Sequence, residues 1–213
     1  MAIIKQGPYG GYSGKAGNLV GASWKGINYI RVMPASVANP RTPGQVNQRN
    51  KFSAVQDFVN LNLNFIKVGY KFMANKMTAA NAAQSYLLKN AITGTAPEFS
   101  VDPATALVSH GKLQGVMNGT ASVNTGELTV NWQDNSARGN ALATDQALLL
   151  VYNPTKAESI EVLQDAVQRS AGTMELVLPG DFTGDTVHVY LAFKAADASK
   201  VSNSSYLGAV AVV

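Results

Sequence analysis

The sequence predicts an α+β chain, with an N-terminal β-hairpin and helical segment followed by an antiparallel β-sandwich. Three observations predict it. Two short apolar runs flank Lys25-Gly26 near the start. Apolar residues then recur at helical spacing behind a Thr-Pro start, up to about residue 90. Beyond residue 98, short alternating runs are separated by turn dipeptides roughly every eight to twelve residues. The 213 residues are 46% apolar and only 14% charged, a composition that can bury a sizeable core and does not read as disordered.

The elements follow in order. Glycines crowd Gly7-Pro8-Tyr9-Gly10-Gly11-Tyr12-Ser13-Gly14-Lys15-Ala16-Gly17, which reads as an arm of tight turns. Leu19 to Trp24 and Ile27 to Met33 form the hairpin. Pro34, Pro40 and Pro43 punctuate the next loop. Thr42-Pro43 starts a helix over about 43–60, with Gln45 at capping-box spacing and Phe52, Val55 and Val59 on one stripe. A second helix is expected near 63–73. Thr78 caps a third, rich in Ala and Leu, which Thr93-Gly94 and Pro97 end.

Strands are expected at 106–109, 120–123, 127–133, 146–152, 159–167, 173–178, 186–193 and 205–212. Asn118-Gly119, Asn153-Pro154, Pro179-Gly180-Asp181 and Gly184-Asp185 separate several of them. Val187, Val189, Leu191 and Phe193 share one face of a strand, with His188 and Tyr190 on the other. The expected domains are therefore 1–97 and 98–213.

Two resemblances follow from particular residues. Glu127-Leu-Thr-Val-Asn-Trp132, Leu176-Val-Leu-Pro179 and Thr186-Val-His-Val-Tyr190-Leu-Ala-Phe193 resemble strands of an immunoglobulin-like or fibronectin type III sandwich. That resemblance implies a fold and no activity. Gly7 to Lys15, Gly21 to Gly26, Asn39 to Gln45, Gln48 to Phe52, Ala82 to Tyr86 and Asn90 to Thr95 resemble, in order, an uncharacterised family of Bacteroidota proteins. That family is a domain of unknown function. Asn39-Pro-x-Thr-x-x-Gln45-x-x-x-Arg49 is also similar to a segment of some phage and prophage structural proteins.

Catalytic chemistry finds little material. There is no Cys, hence no disulfide, thiol nucleophile or thiolate metal site. Gly14-Lys15 is followed by Ala16, and position 9 is Tyr, so the phosphate-loop spacing fails. Ser109 and His110 are neighbours on an expected strand and face opposite ways, so they form no nucleophile–base pair, even with Asp102 nearby. His188 between valines reads as structural. Asp181 and Asp185 around Gly184 read as turn formers, with a loop cation site as the alternative. No catalytic residue, metal or cofactor is expected. No secretory signal or membrane span is visible, so the chain is expected in the cytoplasm or in a particle released without classical secretion.

Charge is the informative feature. Residues 1–100 carry eleven Lys and Arg against Asp57 and Glu98, whereas residues 101–213 carry six against eleven acids. Opposite ends of opposite sign favour head-to-tail contact between copies. The expected function is a non-catalytic structural or assembly protein, which self-associates or docks on a filament or phage-like particle. Its contact surface is expected at Tyr9, Tyr12, Lys15, Trp24, Lys25, Tyr29 and Arg31, with Arg41, Arg49 and Lys51 supplying charge. The alternative partner is nucleic acid or an anionic polysaccharide, bound by the same cations and aromatic rings.

Overall fold

A computed structural model describes residues 3–4, 10–24, 26–36, 39, 41–75, 77–163 and 167–213. The chain divides into two compact units, Met1–Thr42 and Pro43–Val213. The division thus falls at 42/43 rather than at the 97/98 junction expected from charge and periodicity.

In the first unit, β1 (Ile3–Ile4), β2 (Tyr12–Ala16), β3 (Leu19–Trp24) and β4 (Ile27–Val32) form one antiparallel sheet in sequence order. The expected hairpin is β3–β4, with Trp24 opposite Ile27 and Gly26 turning at φ +86°. Part of the Gly-rich arm is a strand rather than a string of turns. Residues 14–16 pair along β3, with Lys15 opposite Val20 and Ala16 opposite Leu19, and Tyr12 and Ser13 pair with β1.

The second unit begins with three helices, α1 (Pro43–Leu61), α2 (Leu63–Gly69) and α3 (Ala79–Asn90). The segment after α2 is a short 3₁₀ turn at Lys71–Met73, so the expected second helix is broken near Tyr70. Thr78 Oγ1 accepts the Asn81 N–H at 3.1 Å, as the sequence predicts for the α3 cap. Two short strands follow, β5 (Ile92–Thr95) and β6 (Glu98–Val101), paired as a hairpin. Thr93-Gly94 and Pro97 end the helix, but they do so inside this hairpin.

Seven further strands build the sandwich: β7 (Thr120–Asn124), β8 (Glu127–Asn131), β9 (Gln146–Asn153), β10 (Glu158–Val162), β11 (Thr173–Val177), β12 (Thr186–Lys194) and β13 (Ser205–Ala211). Their order is β11-β8-β7 in one sheet and β10-β9-β12-β13 in the other. Every pairing is antiparallel, and three strands face four, an immunoglobulin-like arrangement.

The central strands β9 and β12 explain where the helices belong. Ala147, Leu149, Val151, Val187, Val189, Leu191 and Phe193 face the three-stranded sheet with Leu128, Val130 and Met174. Leu148, Leu150, Tyr190 and Ala192 face the other way, onto Val55, Phe58, Phe65, Ile66 and Leu87 of the helices. A strand apolar on both faces needs two covers, and the helical layer is the second. The unit is therefore layered helix, sheet, sheet, which is why the helices do not separate from the sandwich at residue 97.

The expected strand at 106–109 is a correction. Ala106 and Val108 are buried in the helical core, but the backbone pairs with no neighbouring strand. The N–H groups of Val108 and Ser109 donate to Ser204 Oγ, and His110 N–H donates to Gly69 O at the end of α2. A side chain added at Gly69 would lie 2.7 Å from Val108 O, so only glycine lets this loop approach the helix. The strand expected at 159–167 is also shorter, ending at Val162.

Candidate functional site

The N-terminal sheet is the surface to build from. Cross-strand partners share a face, so the β2–β3–β4 register sorts its side chains. Lys15, Val20 and Arg31 form one row; Ala22 with Tyr29 and Trp24 with Ile27 complete that face. Four residues expected at the contact surface (Lys15, Trp24, Tyr29 and Arg31) thus lie together. Tyr12 faces the opposite way, over Gly21, alongside Leu19, Ile30 and Val32.

Both faces are open. Trp24 is 62% exposed, Ile27 65%, Ile30 59% and Val32 69%. All six residues of β4 are exposed, and β4 is also the end strand of its sheet. An exposed end strand with apolar groups on both faces is what folded proteins normally cover or disguise. The surface is basic as well, since no Asp or Glu occurs before Asp57. The aliphatic members Leu19, Ile27, Ile30 and Val32 were not among the expected contact residues. Their signal is the β4 string Ile-Asn-Tyr-Ile-Arg-Val, which puts apolar groups on both faces of a strand.

The remaining expected contact residues scatter. Tyr9 and Lys25 lie outside the described residues. Arg41 is exposed, with φ +47° just before α1. Arg49 lies on the exposed stripe of α1 with Gln45 and Phe52. Lys51 is engaged within its own unit, its ammonium 5.0 Å from the Phe99 ring centre. The cations of α1 thus belong to the second unit by chain position.

The residues tempting for chemistry have structural partners. Ser109 is buried and its hydroxyl donates to Ser202 O at 2.7 Å. His110 sits edge-on between the rings of Tyr70 and Tyr86. Asp102 accepts from Ala104 N–H and Thr105 Oγ1, shaping its own turn. His188 Nδ1 is 2.8 Å from the Tyr206 hydroxyl, and burial pushes the imidazole below its ordinary value, with Asp102 pulling weakly the other way. Burial likewise pushes the Tyr70 and Tyr190 hydroxyls up, and each donates to a carbonyl, Leu107 O and Pro103 O.

The Asp181/Asp185 loop does hold a cation, and it is the chain's own. Lys156 Nζ sits 2.8 Å from Asp181 Oδ2, while Asp185 accepts from Asn153 Nδ2. The hydrogen bond to Lys156 holds the Asp181 carboxyl below its usual range. Among the described residues no group of three His, Asp or Glu could hold a metal ion. No helix among them is long and apolar enough to cross a membrane.

One cluster gave no signal in the sequence. Arg169 is fully buried, with Nε 3.1 Å from Asp145 Oδ2, Nη2 donating to Gln114 O and the guanidinium 3.8 Å from the Phe193 ring centre. Trp132, the tryptophan that suggested the sandwich, donates from Nε1 to Arg169 O at 2.7 Å. This ties the 112–145 segment to the core and makes no opening for a ligand.

Fold and surface together define a class: an antiparallel β-sandwich protein with a helical layer and a separate, bare, basic β-sheet. More particularly, the chain belongs to a family of unknown function (DUF6266), which matches over residues 11–208. No curated protein matches it. Among solved structures it is similar to the fn3 domain of the human collagen alpha-1(XX) chain, at 13% identity and TM-score 0.35, covering 47% of this chain and 87% of that one. It is also similar to a computationally redesigned β-sandwich protein, at 13% identity and TM-score 0.32, covering 48% and 94%.

Proposed function

We propose that the protein is a non-catalytic structural or assembly protein, which self-associates or docks on a larger filament or phage-like particle through its N-terminal sheet. The observation that carries this reading is β4, an end strand with apolar groups bare on both faces. Covering one Ile or Val side chain is worth roughly 1.5–3 kcal/mol when burial is complete, so Ile27, Ile30 and Val32 together favour a partner. Lys15 and Arg31 beside them select a partner with negative charge. The Bacteroidota source and the phage-like setting rest on the sequence blocks named above.

Sedimentation velocity and negative-stain microscopy across a concentration series test it. Assemblies are expected to grow with concentration, and Ile27→Ser with Ile30→Ser is expected to abolish them at unchanged melting temperature. Wild-type protein that stays monomeric at the highest concentration, with no particle bound, contradicts the reading.

A second reading has its own supporting observation. Lys15 and Arg31 share a face with Trp24 and Tyr29, the pairing of cations and rings that binds nucleic acid or an anionic polysaccharide. Fluorescence anisotropy with labelled single-stranded DNA, RNA and heparin at low salt checks it. Binding that weakens with added salt and with Arg31→Ala supports it, and no binding at low salt removes it.

A further inference from the structure

The proposed self-association leaves open which surface of the next copy receives the N-terminal sheet. That surface must be flat, exposed, negatively charged and of similar size. The outer face of the β11-β8-β7 sheet has these properties. Its register gives three rows: Thr120, Asn131 and Thr173; Ser122, Thr129 and Glu175; Asn124, Glu127 and Val177. Eight of the nine are exposed and Thr129 is half-buried, with Val177 at 75% exposure. The face carries two carboxylates and no Lys or Arg. Neither Glu127 nor Glu175 has an ion-pair partner among the described residues.

The two faces match in dimension and in charge spacing. β2, β3 and β4 have five or six residues each, and β7, β8 and β11 have five. Lys15 and Arg31 occupy one row, two strands apart, which is about 10 Å. Glu127 and Glu175 lie diagonally on adjacent strands, about 7–8 Å apart. Long Lys and Arg side chains bridge that difference. Val20 between the two cations is then covered, and Tyr29, Trp24 and Ile27 extend the contact toward Val177.

We infer that the basic Lys15–Arg31 face of the N-terminal sheet in one copy packs on the Glu127–Glu175 outer face of the sandwich in the next copy. The inference rests on the self-association reading and names its second half. Different patches meet, so the contact is heterologous, and repetition gives a ring or a filament rather than a closed dimer. Three short strands cover less than the area of a standard interface, so each contact is weak and assembly needs concentration.

Charge exchange between copies tests it. One variant carries Lys15→Glu with Arg31→Glu, and the other carries Glu127→Lys with Glu175→Lys. All four positions are exposed, so thermal melts should match the wild type. Each variant alone is expected to need roughly tenfold or more concentration to assemble, because like charges then meet. An equimolar mixture is expected to assemble like the wild type, since each variant offers what the other lacks. Wild type that assembles while Glu127→Lys with Glu175→Lys assembles equally well overturns the sandwich face and leaves the parent reading standing. A mixture that stays dispersed also overturns it, including the case where the two faces meet within one chain. Wild type that never assembles removes both.

Discussion

Strands β4 and β9 are the instructive pair. Ile-Asn-Tyr-Ile-Arg-Val and Gln-Ala-Leu-Leu-Leu-Val-Tyr-Asn are both apolar on both parities, the pattern of a strand covered on two sides. In β9 the covers are present: the three-stranded sheet lies on one face and the helices on the other. In β4 all six residues are exposed. The same local pattern is satisfied inside the chain in one region and unsatisfied in the other. What a two-faced apolar strand demands is two covers; among the described residues β4 has neither, and the proposed self-association would supply one.

Breaking the buried side of this comparison should give the largest effects. Asp145→Ala strands the Arg169 guanidinium in the core without its carboxylate, and such losses cost about 3–5 kcal/mol. A urea melt should show it as a large fall in midpoint at unchanged slope. A matched pair sharpens the contrast next. Leu150→Ala opens a cavity between sheet and helices, with a cost of about 2–5 kcal/mol. Ile30→Ala on the exposed strand should change stability by no more than about 0.5 kcal/mol while weakening assembly. Equal stability losses at the two positions would contradict the assignment of β4 as uncovered.

The smallest effect is electrostatic. Burial holds His188 below its ordinary value near 6.5, so the folded state resists taking the proton. Its contribution is fully present above the unfolded value and is lost as pH falls from about 6.5 toward the folded pKa. The melting temperature should therefore drop across that window in the wild type. His188→Gln, which keeps a hydrogen bond to Tyr206 and cannot titrate, should flatten the drop.

Much of the sandwich was legible because each strand announces itself locally. Period-two alternation and turn dipeptides placed β7 to β9 and β11 to β13 within a few residues, and placed Val187 and Val189 against His188 and Tyr190. The domain division was not legible, because charge is a property of the outer surface whereas layering is decided by the inner one. Lys67 and Lys89 face solvent on helices whose Phe65, Ile66 and Leu87 are buried against Leu148 and Leu150. The β5–β6 hairpin was hidden by residues that read as helix breakers. Arg169 was invisible for another reason: its partners Asp145 and Gln114 lie 24 and 55 residues away in sequence.

At the candidate surface, the residues expected from the sequence fall in two units. Lys15, Trp24, Tyr29 and Arg31 fall on one face because the hairpin register was readable. Arg49 and Lys51 belong to α1, and no local pattern ties them to the sheet.

The most direct test is amide hydrogen exchange at low and high protein concentration, read strand by strand. Amides of β9 and β12 should be protected equally at both. Amides of β4, Ile27–Val32, that point away from β3 should exchange fast in dilute protein and become protected as concentration rises. Fast exchange of these amides at every concentration, with β9 protected throughout, would contradict self-association through this strand.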